Sequence, residues 1–278
     1  MEVTKKKRSV GFYVILALLL VGSLIMIMPL YWMIISSFKS QTELLQMPPT
    51  MWPKKWIWSN FSRVFETMPF LRYYANSLVF SAISTVVGVF SSCIIGYVFA
   101  KYKFKGRDAL FFCFLACMMI PYDTLMIPLY KIMVNLHMVN TPLVLTIPYF
   151  VNIFGVFLMR QFFMDLPDDY LEAAEMDGCG QFRTFWSVAL PMAQSSMAAL
   201  FIFIFMAVYN SYLWPLINVN SRDLFTLPVG MASMMSDRGN QFDLLMAAST
   251  MVVVPIGVVF ACAQKNFVAG ITMGGVKG

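Results

Sequence analysis

The densest set of groups able to do chemistry lies in residues 165–191, DLPDDYLEAAEMDGCGQFRTFWSVALP. It holds Asp165, Asp168, Asp169, Glu172, Glu175 and Asp177, six of the chain's 14 acids. The segment reads as two short helices with a break between them. Asp169 followed three residues on by Glu172 fits a capping box after a stop at Pro167. Gly178 suits the left-handed conformation that ends the first helix. In the second, near 181–188, Phe182, Phe185 and Trp186 are expected on one apolar face, and Pro191 suits the first turn of the next helix. On the first helix Asp168, Glu172 and Glu175 share a face at i, i+4 and i+7. Like charges so placed repel, and a helix N-terminus offsets part of the repulsion. Ala173 and Ala174 leave a small-residue surface that another backbone can approach. Two readings stand side by side: a knob that docks into a basic-rimmed cleft of a partner, or a solvated acidic loop.

Other chemistries find few residues. His137 is the single histidine, and alone it builds neither a metal site nor a Ser/His pair. Cys93, Cys113, Cys117, Cys179 and Cys262 show no metal-ligand spacing, and Cys113 and Cys117, one helical turn apart, read as small packing residues. There is no G-x-x-x-x-G-K-[ST] phosphate loop. No catalytic residue, metal or cofactor is expected.

The elements that must position the acidic segment follow from composition. The chain has 278 residues, of which 59% are hydrophobic and 12% charged, with a mean hydropathy of +0.71. Soluble domains average about 25% charged residues, so this is an all-α integral membrane protein. The net charge of +6 points to no nucleic-acid partner; where the charges lie sets orientation instead. Lys5, Lys6, Lys7 and Arg8 precede the first charge-free run, 11–38, which is 28 residues long and exceeds the roughly 7–15 of a cleavable signal core. Such a run spans about 42 Å as helix, enough to cross a bilayer core of about 30 Å, with a kink expected at Pro29. Residues 39–72 form a polar connection rich in Trp and Pro that suits a membrane–water boundary. Further spans are expected at 73–100, 109–130, 140–162, 190–217 and 244–264, before a Gly-rich tail at 265–278. Six spans put both termini on one side. With the N-terminus in the cytoplasm, 12 of the 20 basic residues are cytoplasmic and the short loops follow the positive-inside bias. The acidic loop then faces the cytoplasm.

Glu172-Ala173-Ala174, Asp177-Gly178 and Leu190-Pro191 together resemble the EAA loop of bacterial ABC importer permeases. A second Pro common after Leu-Pro is replaced here by Met192-Ala193-Gln194. The resemblance extends from about residue 72 to the end. Asn76-Ser77, Met119-Ile120-Pro121 through Ile127-Pro128-Leu129-Tyr130, and Tyr209 through Leu216 are similar to the carbohydrate branch of that family. So is Gln264-Lys265-Asn266-Phe267 through Gly274-Gly275-Val276-Lys277-Gly278. The whole is similar to the smaller permease of maltose importers. The resemblance implies the type I ABC importer permease fold, with six transmembrane helices and a cytoplasmic coupling-helix loop. It implies a bacterial plasma-membrane subunit that imports a sugar, a di- or oligosaccharide. Its partners would be a second permease in a heterodimer, two ATP-binding subunits, an extracellular solute-binding protein and the surrounding membrane lipid. It implies coupling to the ATPase through Glu172, Ala173, Ala174, Asp177, Gly178, Leu190 and Pro191, and a tail contact through Gly274, Gly275, Lys277 and Gly278.

In the apolar runs, polar residues mark candidate substrate-pathway positions. Asp123 is the one acid within the six runs, with Asn152, Asn210 and Tyr212 beside it as candidates; a hydrated interfacial Asp and ordinary helix-packing Asn are the competing accounts. Three rivals remain. A glycerol-phosphate or polyol permease would share the same loop. An ion-coupled secondary transporter would need several intramembrane acids, and a membrane enzyme a nucleophile–base or metal constellation.

Overall fold

The computed structural model describes residues 10–238 and 241–275. The chain divides into two compact units, Met1–Met68 with Ser233–Val253, and Pro69–Ala232 with Val254–Gly278.

In the first unit, α1 (Val10–Ser36) is apolar all round, keeps Pro29 within its run, and is exposed along residues 11–30. α2 (Gln41–Leu44) and α3 (Ser59–Thr67) belong to the connection that follows. That connection is built around Lys39, a lysine only 1% exposed. Its ammonium sits 4.3 Å from the centre of the Trp32 ring and donates to the Thr50 carbonyl. Burial pushes the Lys39 ammonium below its ordinary pKa, and nearby Glu43 opposes the shift. Glu43 Oε1 accepts from Thr50 Oγ1 at 2.8 Å and from the Lys54 amide at 2.9 Å. Buried Asn60 donates to the carbonyls of Ser37 and Lys39, both at 2.9 Å. The Phe38 ring meets those of Trp56, Trp58 and Phe61 at 5.0, 4.7 and 5.2 Å. Arg63 closes the unit with a 3.0 Å ion pair to the buried Asp243.

The second unit is organised on α4 (Phe70–Lys101), 32 residues long. Its buried face carries Ser77, Ser81, Ser84, Thr85, Gly88, Ser92 and Gly96, a stripe of small residues at helical spacing. Small residues let helix backbones approach closely where lipid supplies no hydrophobic drive. α7 (Ile153–Asp165) uses that stripe: a Cβ added at Gly96 would lie 2.8 Å from the Arg160 amide nitrogen and 2.9 Å from Met159 Cβ. α11 (Gln194–Tyr209) packs on the same helix through Leu200 and Ile204. Tyr97, Met159, Phe163, Phe185 and Leu190 fill the core between these elements.

Several expected spans are broken, and prolines give the reason. The 109–130 run is not one helix. α5 (Arg107–Met118) and α6 (Tyr122–Asn135) meet at 104°, because Pro121 lacks an N–H and disfavours helix at Ile120 before it. The expected 140–162 helix begins instead as two 3-10 turns, Pro142–Leu145 and Ile147–Tyr149. Pro148 cannot donate there, and Asn152 starts α7 afresh by accepting from the Gly155 amide at 2.7 Å. The 190–217 span starts later, at Gln194, after a 77° bend from the preceding loop helix. It stops at Tyr209, because Pro215 would clash with the Ser211 carbonyl; α12 (Leu213–Asn218) follows. α13 (Leu227–Arg238) and α14 (Phe242–Gly275) complete the order, and α14 runs past the helix end expected at Gln264. Among the described residues, three helices are long and apolar enough to cross a membrane alone, and each of the two bent pairs qualifies when taken together.

At the end of the second unit that holds the α4 N-terminus, polar side chains bind the breaks. Asn76 Nδ2 donates to the Asp223 and Phe225 carbonyls at 2.8 and 3.0 Å, and Ser77 Oγ accepts from the Leu227 amide at 2.7 Å. Arg72 pairs with Asp223 at 2.7 Å. Asn140 Oδ1 accepts from the amides of Asn220 and Ser221 at 3.0 and 2.9 Å.

The contact at Gly96 is with backbone, which cannot swing aside. Gly96→Ala is expected to destabilise the protein by about 1–3 kcal/mol, read as a lower apparent melting temperature in detergent; an unchanged midpoint would refute the close packing. Asn60→Ala strands two carbonyls and is expected to cost about 1–3 kcal/mol by the same assay, with no shift counting against the Lys39-centred connection.

Candidate functional site

The acidic segment folds under the C-terminal end of α4. α8 (Asp169–Met176) starts after Pro167, and α9 (Gln181–Thr184), a π-helical turn at Phe185–Ala189 and α10 (Leu190–Met192) form one continuous second piece. The break between them is a Schellman motif. The Cys179 amide reaches the Ala174 carbonyl and the Gly178 amide the Glu175 carbonyl, both at 2.9 Å. Gly178 has φ +81°, a conformation that costs a residue with a Cβ.

The start of α8 differs from the expected capping box. Asp169 lies inside the first turn, and Asp168 takes the N-cap position without a side-chain cap bond. The Asp168 carboxylate goes elsewhere: Lys101 Nζ, from the last residue of α4, donates to its Oδ1 at 2.5 Å and to the Leu166 carbonyl at 2.6 Å. The Lys101 side chain is 11% exposed, that of Asp168 71%. Tyr102 OH donates to Gln181 Oε1 at 3.1 Å. Between the α4 end and the loop lies a cleft of about 400 Å³, lined by Tyr97, Lys101, Tyr102, Asp168, Glu172 and Glu175 among others.

The second piece is anchored by its aromatic side. Phe185 is buried, its ring 5.0 Å from Tyr97 and 6.4 Å from Phe163. The shared apolar face expected for Phe182, Phe185 and Trp186 does not form. Phe182 points outward at 77% exposed and meets only the edge of Trp186, 6.0 Å away. Phe185, Ala189 and Leu190 are buried along the π turn and the residue after it, while Phe182, in α9 before the turn, stays exposed.

The motif residues therefore separate into two sets. Glu172, Ala173, Asp177, Gly178 and Pro191 are exposed, and they form the free surface of the loop. Ala174 and Leu190 are buried and fasten that surface to the core, so the small-residue patch expected from Ala173-Ala174 is reduced to Ala173. The sequence assigns no site role to Lys101, Tyr97, Tyr102 or Gln181, and the charge of Lys101 at the end of a charge-free run marks only a cytoplasmic turn. Arg160 is also held inside: its guanidinium lies 4.0 Å from the Phe111 ring and 3.7 Å from Asp108.

The four pathway candidates lie at helix starts and breaks. Asp123 is exposed in the first turn of α6. Asn152 is committed to capping α7. Asn210 and Tyr212 are exposed at the break between α11 and α12. At that break the structure instead joins Tyr149 OH to Ser211 Oγ at 3.0 Å, beside a cavity of about 10 Å³ lined also by Ser77, Ser81 and Thr226. Such a space holds about one water. Tyr122 stands 6.4 Å from the Trp214 ring, whose Nε1 donates to the Val144 carbonyl at 2.8 Å. Of the tail residues, Gly274 and Gly275 end α14, and Lys277 and Gly278 lie outside the described residues.

Comparison with known proteins gives this geometry a family. Residues 85–273 match the family described as binding-protein-dependent transport system inner membrane component. The arabinooligosaccharides transport system permease protein AraQ of Bacillus subtilis (strain 168) is 36% identical over 259 residues, 92% of each chain. The inner membrane ABC transporter permease protein YcjP of Escherichia coli (strain K12) is 33% identical over 97% of this chain and 96% of its own. The sn-glycerol-3-phosphate transport system permease protein UgpE of Yersinia enterocolitica is 32% identical over 91% of this chain and 93% of its own. The fold is that of a chain in the crystal structure of a bacterial ABC transporter involved in the import of the acidic polysaccharide alginate. There the TM-score is 0.81 at 21% identity, covering 95% of this chain and 100% of the other. An all-helical membrane chain with a folded acidic loop and no nucleotide site of its own thus belongs to the binding-protein-dependent transport system inner membrane components, as an ABC importer permease subunit that works with separate ATP-binding and solute-binding partners.

Proposed function

We propose that the chain moves a sugar, a di- or oligosaccharide, across the bacterial plasma membrane by alternating access driven by ATP hydrolysis on another subunit. In this reading it pairs with a second permease, each bound to one of two ATP-binding subunits, and receives sugar from an extracellular solute-binding protein. Both termini and the 165–191 loop face the cytoplasm. The observation that carries the reading is the loop itself. An exposed edge of Glu172, Ala173, Asp177 and Gly178 is fastened by Ala174, Phe185 and Leu190 to the core of the second unit. A surface so mounted suits the transfer of force. When the ATP-binding subunits close, they carry the loop, and close-packed helices respond as bodies because packed cores do not deform continuously.

The sugar reading is supported by the arabinooligosaccharide relative at 36% identity; a glycerol-phosphate substrate has a relative at 32%. Uptake by a strain lacking this chain separates them: loss of growth on arabinooligosaccharides supports the first, and loss of sn-glycerol-3-phosphate uptake alone supports the second. Among the pathway candidates, Asp123, Asn210 and Tyr212 keep exposed polar groups next to helix breaks, where unwound backbone in membrane proteins lines cavities. Asn152 is already committed to its cap, so we assign it no substrate role.

Two outcomes test the proposal. Glu172→Lys and Gly178→Asp are expected to abolish uptake and binding-protein-stimulated ATP hydrolysis, with normal amounts of protein in the membrane. Wild-type values in both variants would remove the docking role. Asp123→Asn is expected to weaken the apparent sugar affinity, by about five- to tenfold for a lost hydrogen bond of about 1–1.5 kcal/mol, with assembly intact; unchanged uptake kinetics would return Asp123 to a hydrated surface acid.

A further inference from the structure

Lys101 lies outside the matched loop residues, yet one ammonium joins three helix ends. It is the last residue of α4, it donates to the Leu166 carbonyl that follows α7, and it pairs with Asp168 at the start of α8. The Leu166 carbonyl is one of the acceptors that a helix C-terminus leaves without a partner, and a cation there also meets the negative end of the helix dipole. Between these two acceptors stands Pro167, which has no N–H to donate at the corner. On the other side of the cleft the second loop piece is fastened by Phe185 and Leu190. α8 has apolar seats in Leu171 and Ala174, and Lys101 is the charged bridge to α4.

An ion pair whose acid is mostly exposed contributes little stability, and burying the lysine opposes it further. The arrangement is a poor device for holding the fold together and a good one for fixing an angle. We propose that Lys101 is a positioning residue for coupling: it makes α8 and α4 move as one body, so that displacement of the loop reaches the membrane spans. This rests on the reading of the loop as the ATPase docking element. Without Lys101, α8 tilts about Leu166-Pro167 while remaining attached to its partner.

The test uses the full complex, reconstituted in proteoliposomes with its ATP-binding subunits, second permease and solute-binding protein. Two quantities are measured: capture of ATP-binding subunit by the purified permease pair, and the stimulation of ATP hydrolysis by the solute-binding protein. Lys101→Met is expected to capture ATP-binding subunit as wild type does and to lose about tenfold in stimulation, within the usual range of coupling between sites. Lys101→Arg keeps the cation and both acceptors in reach and is expected to restore stimulation, whereas Lys105→Met, an exposed neighbour, leaves it at the wild-type value. Wild-type stimulation in Lys101→Met, or a Lys101→Arg complex as poor as Lys101→Met, overturns the proposal. Should Lys101→Met fail to accumulate, Asp168→Asn decides, with partial loss expected and full stimulation contradicting it. Failure of the docking reading itself would look different: Glu172→Lys would capture ATP-binding subunit as well as the wild type.

Discussion

The close approach of α7 to α4 at Gly96 governs what happens at the loop end of the second unit. With a hydrogen in place of a side chain, the α4 backbone lies against the Arg160 amide and Met159. Beyond that contact, α7 ends before Pro167, and the Leu166 carbonyl and the Asp168 carboxylate lie within reach of Lys101. Beside the Gly96 contact, Tyr97 and Phe163 close the space and make the slot that Phe185 enters. In a bilayer, where apolar contact with lipid is as favourable as apolar contact with helix, this geometry must come from packing and from polar groups satisfied internally. The Ser and Gly stripe of α4 supplies the packing, and within it Ser77 and Ser92 bond backbone at 2.7 and 2.6 Å.

Broken spans are the second consequence of the same constraint. A helix interrupted inside a membrane exposes backbone groups that lipid cannot bond. Here Asn152, Asn140, Asn76 and Ser77 bind amides or carbonyls at or near the interruptions. Several polar residues that look functional in an apolar run are therefore committed to repairing backbone. Asp123, Asn210 and Tyr212 remain exposed at the breaks.

Much of the architecture was legible in the sequence because it follows from one-dimensional signals. Charge-free runs marked where apolar helices lie but not where they break, and Gly178 marked the left-handed corner of the loop. The shortfalls came from information that is three-dimensional. Prolines in the runs were visible, but whether each bends a helix or divides it depends on what can satisfy the freed carbonyl; Pro29 sits within α1, while Pro121 precedes a 104° turn. The capping box at Asp169 is absent because the helix starts one residue earlier, and the N-cap Asp168 gives its carboxylate to Lys101, 67 residues away in the chain. A 3.6-residue periodicity puts Phe182, Phe185 and Trp186 on one face, but only Phe185 of the three is buried, which periodicity alone does not tell. Lys101 read as one more positive-inside charge, since nothing local distinguishes a lysine that binds headgroups from one that binds the end of another helix.

The central claim is that the free edge of the loop lies in the cytoplasm and is covered by an ATP-binding subunit. It is tested most directly by placing a single cysteine at Ala173 in a background with the five native cysteines replaced. A membrane-impermeant maleimide is then applied to right-side-out and inside-out vesicles, with and without the ATP-binding subunits. The account predicts labelling only in inside-out vesicles and protection when the subunits are bound. Labelling from the outer face, or equal labelling with and without the subunits, would contradict it.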